Sequence, residues 1–110
     1  MKLYTVPKPV RAEAWNGLAI RKWRLQSTKR PGGTAVGVAR ARQLVKGKID
    51  AGGIKRMKAF FDRFQYLKKN INWGQPTMPG YVAWLLWGGD PGYRWAKKMV
   101  KRLDRESLSR

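Results

Sequence analysis

The groups available for chemistry in this chain are few. It contains no histidine and no cysteine, which removes the usual general base, the commonest transition-metal ligand, thiolate nucleophiles and cysteine-type zinc sites. Acid–base work would fall to six carboxylates, Glu13, Asp50, Asp62, Asp90, Asp104 and Glu106. Asp50 and Asp90 stand where N-caps are expected, and Asp62 follows Lys58 at the four-residue spacing of a helical charge pair. Asp90 as a catalytic acid would need a second carboxylate or a metal partner, and the spacing identifies neither. The expectation is a protein that is not an enzyme, with no catalytic residue, metal site or cofactor.

Cations dominate instead. Twenty-five Lys and Arg stand against six acids, a formal charge of +19 and a sequence pI near 11.3. Polyanions are the natural partners of such a surface, nucleic acid first and DNA foremost, with an anionic membrane surface or an acidic protein behind it.

The stretch KRPGGTA at 29–35 concentrates the question. Gly32 and Gly33 can expose backbone N–H groups ahead of a helix whose own N-terminus favours anions, and Lys29 and Arg30 add charge. It is not a nucleotide-binding P-loop, because no GxxxxGK[ST] is present. The competing reading is an ordinary loop and N-cap. Downstream, Arg40 and Arg42 extend the basic character. Lys55, Lys58 and Lys69 decorate one helical pattern, while Arg94, Lys98, Lys101 and Arg105 form a stripe at spacings of four, three and four in another. These faces would neutralise backbone phosphates with little base readout. Among the tryptophans, Trp84, Trp87 and Trp95 sit in apolar periodic surroundings and read as core, whereas Trp73 lies in a polar loop beside Asn70 and Asn72 and is the best candidate to stack on a base.

The elements that must position these groups are helical. Pro9 opens a pattern running to about Gln26, with Val10, Ala14, Leu18 and Leu25 on one side, Trp15 and Trp23 widening the stripe, and Arg11, Arg21, Lys22 and Arg24 decorating it. Gly17 weakens this helix by about 1 kcal/mol against alanine. Thr34 caps a second helix from Ala35 to about Lys46, closed by Gly47. Asp50 caps a third, whose Ile54, Met57, Phe61, Phe64 and Leu67 recur at three and four. YVAWLLW at 81–87 reads as a short buried helix ended by Gly88 and Gly89, with a buried strand as the alternative. Asp90 then Pro91 starts a last helix reaching about Leu108, with Trp95, Met99 and Leu103 facing in.

The expectation is an all-α fold, a compact bundle of four or five short helices with a Trp-rich core, in one basic domain over 1–110 whose first eight residues form a flexible segment. No stretch is apolar over the length of a membrane span, and the N-terminus lacks the apolar region of a secretory signal. The second and third helices, joined by a short KGKI linker, could also form a helix-turn-helix with Lys55, Arg56 and Lys58 at the start of the recognition helix. That helix lacks the Asn or Gln commonly used to read adenine in its first turns.

Three ordered segments, GGTAVGVARARQL, IKRMKAFFDRF and YVAWLLWGGDPGYRWAKKMVK, resemble a small uncharacterised module of tailed-phage proteins, found alone or attached to head-maturation proteases. The resemblance covers roughly residues 30–100, and AWLLWGGDPGYRWA is its most specific piece. It implies a phage or prophage origin and a morphogenesis or genome-handling context, in the host cytoplasm during infection or in the virion. It implies no particular biochemical activity. Members commonly carry a histidine after the aromatic helix, where this chain reads RFQYLKK. Beside sequence-tolerant nucleic-acid binding, the competing class is a phage virion or head-assembly protein whose cationic helices dock on acidic capsid, portal or protease surfaces, with Tyr66, Trp73 and Tyr93 as aromatic anchors.

Overall fold

The computed structural model describes residues 2–30 and 32–108. Met1, Pro31 of the KRPGG stretch, Ser109 and Arg110 lie outside the described residues. Five α-helices account for most of the chain: α1 (Lys8–Thr28), α2 (Ala35–Lys46), α3 (Ala51–Phe64), α4 (Pro79–Leu86) and α5 (Gly89–Leu108). A 3-10 turn over Gln65–Lys69 extends α3. The all-α reading holds, and the expected helix is found at 81–87 rather than the alternative strand.

Local chemistry accounts for the helix ends. The Thr34 hydroxyl accepts from the Gly37 amide, and the Asp50 carboxylate accepts from the Gly53 amide, each satisfying an otherwise orphaned donor of a first turn. Gly47 closes α2 at φ 95°, a conformation that costs glycine nothing.

Two corrections follow at the N-terminus and at the α2–α3 connection. Residues Leu3–Thr5 form a strand, β1, paired antiparallel with β2 (Lys48–Asp50) in the register Leu3↔Asp50, Tyr4↔Ile49 and Thr5↔Lys48. Within the segment expected to be flexible, Leu3–Thr5 are thus paired in a sheet and Val6 is buried. The same pairing makes the linker between α2 and α3 a strand rather than the tight turn of a helix-turn-helix.

All five helices contribute to one core, with α1 packed on α2, α4 and α5, and α3 packed on α5. Val10, Ala14, Leu44, Ile54, Phe61 and Trp84 belong to one buried cluster. α1 meets α4 at Gly17, where an added Cβ would stand 2.7 Å from the Leu86 amide nitrogen and 3.0 Å from the Leu85 carbonyl carbon. Glycine in mid-helix is therefore required by the approach of a neighbouring backbone, which outweighs its propensity cost. α4 carries apolar groups on almost every side because α1, α2 and α5 all pack on it. Gly88 and Gly89, at φ 116° and 66°, then reverse the chain into α5.

Candidate nucleic-acid interface

Around α4 the aromatic side chains interlock. The Trp84 ring lies edge-on to Phe61, Trp73 and Tyr93, with centroid separations of 4.7, 5.5 and 5.8 Å. Trp87 stacks on Phe60 at 4.6 Å with the planes 8° apart. Trp73, expected in an open polar loop, is therefore half-buried against the core and edge-on also to Tyr81.

Asp90 has a different role from the expected cap. α5 starts at Gly89, and the Asp90 carboxylate instead accepts the Trp84 indole N–H at 2.9 Å and the Lys68 ammonium at 2.8 Å. Its partial burial pushes its pKa up, but the hydrogen bonds from Lys68 and Trp84, with Arg94 nearby, hold it below the usual value. Asp62 accepts from Lys58 Nζ at 2.6 Å and from the Tyr93 hydroxyl at 2.5 Å. These bonds lower Asp62 and push the Tyr93 phenol up to about 12. Glu13 is raised by burial, against a hydrogen bond from Asn16. Asp62 and Asp90 each bridge two elements through these bonds, and no group of three carboxylates able to hold a metal ion exists among the described residues.

The predicted phosphate contacts separate into three sets. Lys29 and Arg30 are exposed at the end of α1, Lys29 in the left-handed conformation that terminates the helix. Gly32 and Gly33 face α4: a Cβ on Gly32 would meet Val82 at 2.7 Å, and one on Gly33 would meet Leu86 Cδ1 at 2.6 Å. Packing against α4 thus accounts for the absence of side chains at both glycines.

Arg40 is engaged within the fold. Its guanidinium lies 5.4 Å from the centre of the Trp87 ring and donates to Gln43 Oε1. Burial, with Arg56 adding repulsion, depresses its pKa against the attraction of Asp50. Lys58 is paired with Asp62, whereas Lys55, Lys69 and Arg42 are exposed. Arg94, Lys98, Lys101 and Arg105 are exposed along α5, and none of them joins an ion pair among the described residues. Of the predicted residues, this stripe is the longest set that the structure leaves exposed along one helix.

α1 holds what the sequence pattern conceals. Trp15 is 62 % exposed and Trp23 46 % exposed, although the helical period has both widening the buried stripe. Arg24, expected on the outer face, is only 5 % exposed and donates from Nη1 to the Pro76 carbonyl oxygen at 3.1 Å, tying α1 to the loop before α4. Two shallow clefts flank Trp15. One, about 370 Å³, is lined by Lys8, Arg11, Asn16 and Val45, and the other, about 330 Å³, by Leu18, Ala19 and Lys22. A third cleft of about 310 Å³ lies elsewhere, between Val36, Phe60, Phe64, Leu67 and Trp87.

Comparison with protein-family models, with curated proteins and with solved structures returns no match for this chain. Among the described residues, no helix is long and apolar enough to cross a membrane.

Proposed function

We propose that the protein binds nucleic acid without strong sequence preference, through phosphate contacts from basic helix faces. The observation that carries this reading is the imbalance of charge at the surface. Three ion pairs link side chains among the described residues, Lys58–Asp62, Lys68–Asp90 and Arg102–Glu106, in a chain with 25 cations. Uncompensated cations ordered on a rigid helix are suited to counterion release from a phosphate polymer. The motif resemblance supports a phage setting, with the host cytoplasm during infection or the virion as the place of action and DNA as the leading ligand. No catalytic role is proposed.

The test is a titration against labelled duplex across a salt series. If about 6 to 10 phosphates are engaged, affinity falls by about 10³ to 10⁵ between roughly 50 and 200 mM salt. Replacing Arg94, Lys98, Lys101 and Arg105 by alanine reduces the log–log slope by about 0.9 for each phosphate no longer neutralised. A flat salt dependence, or no binding at the lowest salt, overturns the reading.

One observation favours the competing class, docking on an acidic phage structural protein. The apolar cleft between Phe60, Phe64 and Trp87 has Arg40 over the Trp87 ring and Arg63 over the Phe64 ring at 5.2 Å. An apolar anchor flanked by carboxylates would suit such a cleft.

A further inference from the structure

We infer that Trp15 is a stacking platform for unpaired bases, with Lys8 and Arg11 on one side of it and Lys22 on the other taking the adjoining phosphates, so that this face selects single-stranded over duplex nucleic acid. The inference rests on the nucleic-acid reading and names the form of the ligand.

Exposure is the first observation. An indole that leaves 62 % of its surface in water, in mid-helix on the longest helix of the fold, contributes little to the core. Among the described residues, Trp15 also takes part in none of the ring or cation contacts that engage Trp73, Trp84 and Trp87, so no other ring or cation occupies it. The second observation is the space beside it. Trp15 lines two clefts, one shared with residues toward the start of α1 and one with residues toward its end, and neither is lined by a carboxylate. The third is charge. Lys8 and Arg11 line one cleft and Lys22 the other, and the helical rise places Lys8 and Lys22 about 21 Å apart along the axis. The one acid of α1, Glu13, lies against Gly89 at the start of α5.

An aromatic face with cations before and after it is the arrangement that binds single strands, because each base has a π face and a backbone phosphate within reach. In a duplex both faces of a base are already stacked, and opening a step has a cost that flat contact with a helix surface does not recover. Trp23, 46 % exposed two turns further on, can take a second base. Arg11 lies beside Gly47 at the end of α2, so the backbone path continues from α1 toward Lys46.

The experiment uses the full chain, with fluorescence anisotropy of a labelled 20-mer of dT and a labelled 20-base-pair duplex across a salt series that starts from a low concentration. Wild type is compared with Trp15→Ala, Trp15→Leu and Trp15→Phe, each first shown to melt with the wild type. Trp15→Ala and Trp15→Leu are expected to weaken dT binding by about fivefold to a hundredfold and to leave duplex affinity within about twofold. Trp15→Phe, which keeps a π face, is expected to retain part of the dT affinity. The salt slope on dT stays unchanged in all three, because every phosphate-binding cation is still present. If the wild type binds but Trp15→Ala weakens both ligands equally, or neither, the platform is refuted and the phosphate reading stands. If the wild type binds neither ligand, both fail. Binding of wild type but not Trp15→Ala to anionic vesicles, without dT binding, would reassign the face to a lipid surface and overturn the inference.

Discussion

Trp84 and Trp15 are the same side chain used in opposite ways. Trp84, 1 % exposed, is enclosed by Phe61, Trp73 and Tyr93 and has its indole N–H bound to Asp90. Trp15 lies open to water on α1. The difference teaches that aromatic content says little about function until each ring's partners are known. Burial with a satisfied N–H marks a structural tryptophan, and exposure between cations is the arrangement from which the binding role of Trp15 is proposed.

The sharpest way to break this comparison is to truncate both rings. Trp84→Ala is expected to cost about 3 to 5 kcal/mol through poorer packing and the cavity left behind, a large share of the stability of a domain this small. Trp15→Ala should stay within about 0.5 kcal/mol, as exposed positions do. Denaturant melts read both values, and comparable losses would show that Trp15 has a structural role after all.

A second variant separates helix propensity from packing. Gly17→Ala gains about 1 kcal/mol if only propensity counts. The new methyl would stand 2.7 Å from a backbone nitrogen of α4, a contact that backbone cannot relieve by a rotamer change. The expected result is a net loss of about 1 to 3 kcal/mol, seen as a lowered melting temperature. A stabilised variant would mean that α4 stands far enough from α1 to leave room for a methyl group.

The third test concerns the polar anchor of Trp84. Asp90 and Asp62 both have lowered folded-state pKa values, so each contributes stability that is present above the ordinary carboxylate pKa and lost as pH falls through the folded value. Stability measured downward from pH 6 should therefore decline in the acid range, and Asp90→Asn should flatten part of that decline. Asp90→Ala leaves the buried Trp84 N–H unpaired and is expected to cost about 1 to 3 kcal/mol at neutral pH. An unchanged acid limb in Asp90→Asn would argue against the Lys68 and Trp84 bonds.

Much of this architecture is legible in the sequence where local chemistry decides it. Thr34, Gly47 and Asp50 mark helix ends by cap preferences alone, and the period of Ile54, Met57 and Phe61 marks the buried face of α3. α1 departs from its apolar pattern for a physical reason. After Val10 and Ala14 the helical period allows position 17 or position 18 to face inward, and hydrophobicity selects Leu18. The fold selects Gly17, because the α4 backbone comes too close for any side chain. That small rotation turns Arg24 inward and leaves Trp15 and Trp23 outside. The β1–β2 pair leaves no trace in the pattern because three-residue strands are too short to show alternation. The Asp90 bridge is hidden because a cap and a long-range acceptor look alike in one dimension. The basic stripe of α5 is visible, since spacing on an amphipathic helix fixes it.

The smallest expected effect concerns the rim where α3 meets α5. Tyr93 stacks on Phe61, donates to Asp62, and has the Lys97 ammonium 4.3 Å from its ring centre. Its phenol is pushed up to about 12, chiefly because ionisation would break the hydrogen bond to a carboxylate and then set two negative charges side by side. In an ultraviolet titration of phenolate absorbance, two of the four tyrosines should lag behind ordinary phenols: Tyr81, raised by its burial with Glu13 and Asp90 nearby, and the tyrosine bonded to Asp62, Tyr93. A raised folded pKa contributes stability that is complete below the unfolded value and disappears as pH rises through about 12, so the Tyr93 lag should coincide with alkaline loosening of the α3–α5 contact. Asp62→Asn should bring that tyrosine back toward the ordinary range, while the neutral melting temperature moves little because the pair lies at the solvent-exposed rim. Were Tyr93 to titrate with the others in the wild type, the α3–α5 rim would be held by ring packing alone. It would then resemble the Trp84 cluster without the polar bond that anchors it.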